Sequence, residues 1–122
     1  MSRVIHFEIP AANPEKMIAF YTRVFGWKID KWNGPVNYWL ITTGDDAEPG
    51  INGAIAEKSE TVQATTNTIN VASFEEAIQK VTEAGGQVLM PKMAVPGVGY
   101  MTYCKDPEGN VFGVMQSYPQ AK

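Results

Sequence analysis

Apolar and polar residues alternate from Arg3 to Ile9. Ile5, Phe7 and Ile9 fall on one side, and Val4, His6 and Glu8 on the other. A period of two predicts a strand over 3–9, and Pro10 is expected to end it. Asn13-Pro14-Glu15 then opens a helix, since Asn caps well and proline is tolerated at the first helical position. Met17, Phe20, Tyr21 and Val24 recur at helical spacing, and Gly26 stops the helix near residue 25. Strand-like runs follow at 27–32, 36–43 and 51–56, separated by Asn33-Gly34 and by a longer polar turn ending at Gly50.

Residues 57–65 are polar and aperiodic, and 58–65 reads as a linker. After it the pattern restarts. Thr68-Ile69-Asn70-Val71 alternates as a strand. Ser73 with Glu76 forms a capping box, and Phe74, Ala77, Ile78 and Val81 make the apolar face of a second helix ended by Gly85-Gly86. Strands are predicted at 87–90, 99–104 and 111–116, with Pro107-Glu108-Gly109-Asn110 turning the chain between the last two. The order is βαβββ twice, in modules of about 1–57 and 66–118 within one domain spanning 1–122. The halves superpose at an offset of 59 or 60, with Ile51-Asn52-Gly53 laid over Val111-Phe112-Gly113 at 60. Two four-stranded sheets with one helix each give an α+β fold, an incomplete barrel with the helices outside and a cleft within.

Composition narrows the chemistry. The 122 residues carry 10 basic and 13 acidic side chains, a net charge of −3, with pI near 5.1. No basic surface is available to neutralise phosphates, so nucleic acid is not an expected partner. The apolar runs are far shorter than the roughly 20 residues of a membrane span, and Met1-Ser2-Arg3-Val4-Ile5-His6 has no long apolar leader. A cytoplasmic setting without a membrane partner is the expectation. One cysteine, Cys104, excludes an intramolecular disulfide, and one histidine, His6, excludes any site needing two imidazoles from one chain.

His6 and Glu8 are two residues apart on a strand, so both side chains share a face. Such a pair serves as two legs of a metal site, as an acid/base pair, or as a hydrogen-bonded pair without chemistry. Phe20, Phe25 and Trp27 are expected in the core, whereas Trp39, Tyr100 and Met115 are candidate walls of a ligand pocket. The apolar, glycine-hinged stretch 91–99 reads as a lid or as a surface buried by a second subunit. Cys104 reads as a small buried residue rather than a nucleophile.

Three stretches resemble the vicinal oxygen chelate superfamily, the glyoxalase/bleomycin-resistance/extradiol-dioxygenase group. They are His6-Phe7-Glu8-Ile9-Pro10 with Asn13-Pro14-Glu15, Ala19-Phe20-Tyr21 through Val24-Phe25-Gly26-Trp27, and Asp106-Pro107-Glu108-Gly109-Asn110-Val111-Phe112-Gly113. The resemblance covers essentially the whole chain. In metal-using members, His or Glu ligands on the first and last strands of the modules hold one divalent ion. Carried over, those positions fall on His6, near Gly53, near Thr66 and on Gly113. His6 alone can ligate, so the resemblance implies no metal and no other cofactor. It also implies a homodimer.

The functional expectation is therefore metal-free binding of a small molecule, a planar one included, in the cleft. The alternatives are a metal-dependent or Glu8/His6-assisted lyase, isomerase or dioxygenase, and a regulatory role with a vestigial cleft.

Overall fold

The structure, a computed structural model, describes residues 2–122. Its elements run β1 (Arg3–Ala11), α1 (Pro14–Phe25), β2 (Lys28–Lys31), β3 (Tyr38–Thr42), β4 (Asn52–Glu57), β5 (Thr66–Asn70), α2 (Phe74–Glu83), β6 (Gln87–Val88), β7 (Met93–Val95), β8 (Gly99–Lys105) and β9 (Val111–Ser117). The chain divides into two compact units: His6–Thr65, and Thr66–Lys122 with the N-terminal residues through Ile5. Both are α+β modules; the first has the expected βαβββ order, and the second adds one short strand, β7, between β6 and β8.

In the first module the strands lie in the order β2-β3-β4-β1. β1 and β4 are parallel, which the long connection through α1, β2 and β3 permits, and β2-β3-β4 is an antiparallel meander. Asn13 caps α1 by accepting from the Lys16 amide at 3.2 Å. Gly26 ends it in the left-handed region (φ 69°), where its N–H reaches the Thr22 carbonyl at 3.0 Å. β1 runs two residues further than expected, through Pro10. The Ala11 carbonyl accepts from the Lys58 amide at 3.0 Å, so the backbone of the preceding residue points away from β4, and the N–H that Pro10 lacks is not missed by that ladder.

Paired residues share a face, so the register sorts the sheet. Phe7, Ile9, Ala11, Trp39, Ile41 and Ile55 lie on the side covered by α1, where Ile9, Ala11, Ile41 and Ile55 form the buried cluster against Met17, Ile18, Tyr21 and Trp27. The helix departs from expectation here. Its apolar arc is wider than the sheet can cover, and Phe20, Val24 and Phe25 stay outside, with Phe20 53% and Phe25 60% exposed. Tyr21 lies flat against Trp27, their ring centres 4.9 Å apart.

The second module has the order β5-β9-β8-β6, with β5 parallel to β9. Ser73 accepts from the Glu76 amide at 3.2 Å, as a capping residue should. Phe74, Cys104 and Val114 form its buried cluster beneath α2. The turn into β9 is built on Asp106, whose carboxylate accepts from the Glu108 and Asn110 amides, each at 2.9 Å. Gly109 supplies the positive φ of 88° that the turn requires.

The stretch 91–99 is not a free lid. It contains β7, which pairs antiparallel with β8, and a turn closed by the Val98 amide on the Val95 carbonyl at 2.9 Å. The C-terminus holds the turn: Tyr118 N–H donates to Val98 O at 2.8 Å, and Gly97 N–H to Ala121 O at 3.1 Å. Among the described residues no helix is long and apolar enough to cross a membrane.

Candidate functional site

The face of the first sheet not covered by α1 carries His6, Glu8 and Pro10 from β1. It also carries Asn52, Ala54 and Ala56 from β4, and Tyr38, Leu40 and Thr42 from β3. Tyr38 registers with Ala56, and Ala56 with Pro10. β3 is thus two ladders from β1, roughly 10 Å at ordinary strand spacing. Between Tyr38 and Glu8 this face of β4 offers the methyl groups of Ala54 and Ala56, and the Asn52 side chain opposite His6 is turned to Thr43. The Tyr38 ring leans across that bare stretch, diagonally, to reach the two functional residues of β1.

The result is a hydrogen-bonded chain. The Tyr38 hydroxyl donates to Glu8 Oε2 at 2.7 Å, and His6 Nε2 lies 2.8 Å from the same hydroxyl. A phenol has one proton. With that proton directed at Glu8, the Tyr38 oxygen accepts from His6, so His6 carries its hydrogen on Nε2. The His6 and Tyr38 rings lie nearly parallel, 6.3 Å between centres, and Trp32 meets Tyr38 edge-on at 5.9 Å. Glu8 is 5% exposed. Burial pushes the His6 imidazole below its ordinary range, outweighing the Glu8 carboxylate that pulls it upward. His6 is therefore neutral at pH 7.

His6 and Glu8 share a face as their spacing predicts, but they are joined through Tyr38, which the sequence pattern does not single out. The signal that bears on it is alternation: Trp39 and Ile41 are apolar, so Tyr38 belongs to the opposite side. Trp39 packs on the cluster beneath α1, away from His6 and Glu8. Tyr100 packs against the cluster around Phe74, stacks on Tyr118 at 5.6 Å, and has the Lys92 ammonium 4.5 Å above its ring. Met115 registers with Asn70 and Met101 on the face of the second sheet turned from α2. Cys104 is buried under α2, which raises its thiol pKa.

The sequence model of the Glyoxalase/Bleomycin resistance protein/Dioxygenase superfamily matches residues 3–114. The chain belongs to this superfamily. Curated relatives agree: "Putative glyoxylase CFP32" of Mycobacterium bovis is 32% identical over 104 residues, 80% of this chain. The chain spans 39% of the length of that relative. A glyoxylase-like domain-containing protein of Didymella fabae is 29% identical over 113 residues, 88% of each chain. Among solved structures, a hypothetical protein of Bacillus halodurans C-125 superposes with a TM-score of 0.73 at 17% identity, over 99% of this chain and 98% of that one. A methylmalonyl-CoA epimerase, solved with methylmalonyl-CoA and NH4+, gives 0.72 at 14% identity, over 100% and 99%. These structural likenesses show the fold.

The side chains present do not fit the divalent ion that many superfamily folds carry. Among the described residues no three His, Cys, Asp or Glu side chains come together, and His6 Nε2 and the Tyr38 hydroxyl are already paired. The register also corrects the expected ligand positions. Gly53 pairs with Phe7 on the helix-covered side, and a Cβ there would stand 2.5 Å from the Phe7 carbonyl oxygen. The residue of β4 opposite Glu8 is Ala54. In the second module Gly113 pairs with Thr68, so Gly113 matches Ala54, at an offset of 59, rather than Gly53. A slip of one residue turns a strand position to the other face. Neither Ala54 nor Gly113 can ligate.

Proposed function

We propose that this superfamily member binds a small organic molecule without a resident metal, on the face of the first sheet that carries His6, Tyr38 and Glu8. The single observation behind this reading is the hydrogen-bonded chain His6–Tyr38–Glu8 beside Trp32. It offers a small set of fixed polar groups next to an aromatic surface, which is how pockets for small molecules are furnished. A planar ligand suits Trp32. The test is a thermal-shift panel of planar aromatics, enols and thiol conjugates, run with elemental analysis of the purified protein. A ligand present at 100 times its Kd adds about 2.7 kcal/mol of stability. A silent panel, or a stoichiometric ion lost on His6→Ala, defeats the reading.

A second reading has a specific observation in its favour. A carboxylate linked to an imidazole through a phenol is an arrangement for holding or moving a proton, which supports an isomerase or lyase assisted by His6 and Glu8. Under it, His6→Gln abolishes turnover of any ligand found in the panel while leaving its affinity within a few-fold. Assembly as a homodimer belongs to the same proposal. The exposed Phe20, Val24 and Phe25 on α1 support it, and light scattering of the purified protein checks it.

A further inference from the structure

The directions of two hydrogen bonds decide what His6 can offer. Tyr38 donates to Glu8, so Tyr38 accepts from His6 Nε2–H. A neutral imidazole with its proton on Nε2 has a lone pair on Nδ1. No hydrogen bond reaches Nδ1 within the described residues, and no buried side-chain nitrogen or oxygen among them is left without a partner. Nδ1 is therefore open at the surface. The chain has no other histidine to share the role.

We propose that Tyr38 is a positioning residue that locks His6 as the Nε2–H tautomer, and that Nδ1 is the acceptor for an acidic O–H or N–H of the ligand. The inference rests on the binding reading above and names its ligand class: phenols, enols and similar weakly acidic hydrogen-bond donors. Molecules that offer only acceptors, such as ketones or ethers, find no partner at Nδ1. When such a donor binds, its hydrogen points at Nδ1. The Nε2–H, the Tyr38 hydroxyl and the Glu8 carboxylate then line up behind it, each bond polarising the next. Glu8 acts on the ligand only through this line. Tyr38 without its hydroxyl would leave the imidazole free to choose either tautomer and to rotate.

One histidine makes the test direct, because imidazole nitrogen NMR contains one residue's signals. In the free protein Nδ1 should resonate as an unprotonated nitrogen and Nε2 as a protonated one, with the Nε2 proton slow to exchange. Tyr38→Phe should lose that slow proton and show a mixture of tautomers, with the backbone spectrum otherwise retained. Phenol and anisole, which differ in the donor, are the ligand probes. Phenol should move the Nδ1 resonance, and anisole should bind about tenfold or more weakly, the factor that one hydrogen bond provides.

A protonated Nδ1 in the free wild-type protein overturns the role of Tyr38 without recourse to any variant. An Nδ1 signal untouched by phenol, or equal affinity for anisole, overturns the ligand class. The binding reading itself fails when the whole thermal-shift panel is silent or a stoichiometric ion is lost on His6→Ala, so the failures are separable.

Discussion

Gly53→Ala is the sharpest perturbation of the first module. In the interior of an extended strand, alanine ordinarily gains about 0.5–1 kcal/mol over glycine by restricting the unfolded chain. Here the added Cβ would sit 2.5 Å from the Phe7 carbonyl oxygen and 2.7 Å from two atoms of the Phe7 ring. The ring can turn. The carbonyl cannot, because Phe7 is held in register with Gly53 along six paired positions of β1 and β4. Forcing an extra methyl against backbone that cannot move aside costs about 2–3 kcal/mol, the upper part of the range for overpacking. Set against the gain from alanine, the net loss is about 1–2 kcal/mol. For a chain of 122 residues, unfolding entropy makes each kcal/mol worth about 4 °C, so the midpoint should fall by about 4–8 °C. Urea denaturation of wild type and variant measures it, with the slope unchanged. A neutral or stabilised Gly53→Ala would show that position 53 has room after all. The assignment of Gly53 to the crowded, helix-covered side would then be wrong, and with it the case that no ligating side chain can stand there beside His6.

Other consequences can be checked with the same purified protein. Ile55→Ala, at a fully buried position between Ile9, Ala11 and Ile41, should cost about 2–5 kcal/mol in urea titration; a loss under 1 kcal/mol would mean the cluster is not packed as described. Because burial holds His6 below its ordinary pKa, the unfolded chain takes up the proton first. Stability is then fully present above about pH 6.5 and falls as pH drops through the unfolded value, levelling off below the folded one. His6→Gln should flatten that slope between pH 5 and 7, and an unchanged slope would assign it elsewhere. Cys104, buried and with a raised thiol pKa, should react with an aromatic disulfide reagent only in denaturant, and stoichiometric reaction of the native protein would contradict its placement.

Much of this molecule is written in local patterns. Asn13, Gly26, Ser73 and the Asp106–Asn110 turn act over three or four residues, and each does what its sequence neighbourhood predicts. Pairing across strands is less legible. The match of Gly53 to Gly113 is sound as an alignment of glycines, yet one residue out as an alignment of faces, since a strand's side chains reverse at every step. The apolar arc of α1 shows a related limit: periodicity reveals that a stripe exists, but only the sheet decides how much of it is covered. Within 91–99, Met93–Val95 pair along β8 and the turn after them is held by Tyr118 and Ala121, partners about 20 residues away. At the site, His6 and Glu8 are visible from spacing alone. Tyr38 is not, because its role depends on which strand separates it from β1 and on what that strand leaves out.

That omission has a consequence for how variation in this chain should be read. Ala54 and Ala56 carry no reactive group, and a survey of chemically capable side chains would pass over both. Yet they set the distance at which a phenol can span three strands. A valine or leucine at either position would keep the strand and its hydrogen bonds, and would push Tyr38 off its path and uncouple Glu8 from His6. The most consequential substitutions for this site are therefore conservative exchanges of one aliphatic residue for another, in a strand whose contribution is the space it leaves.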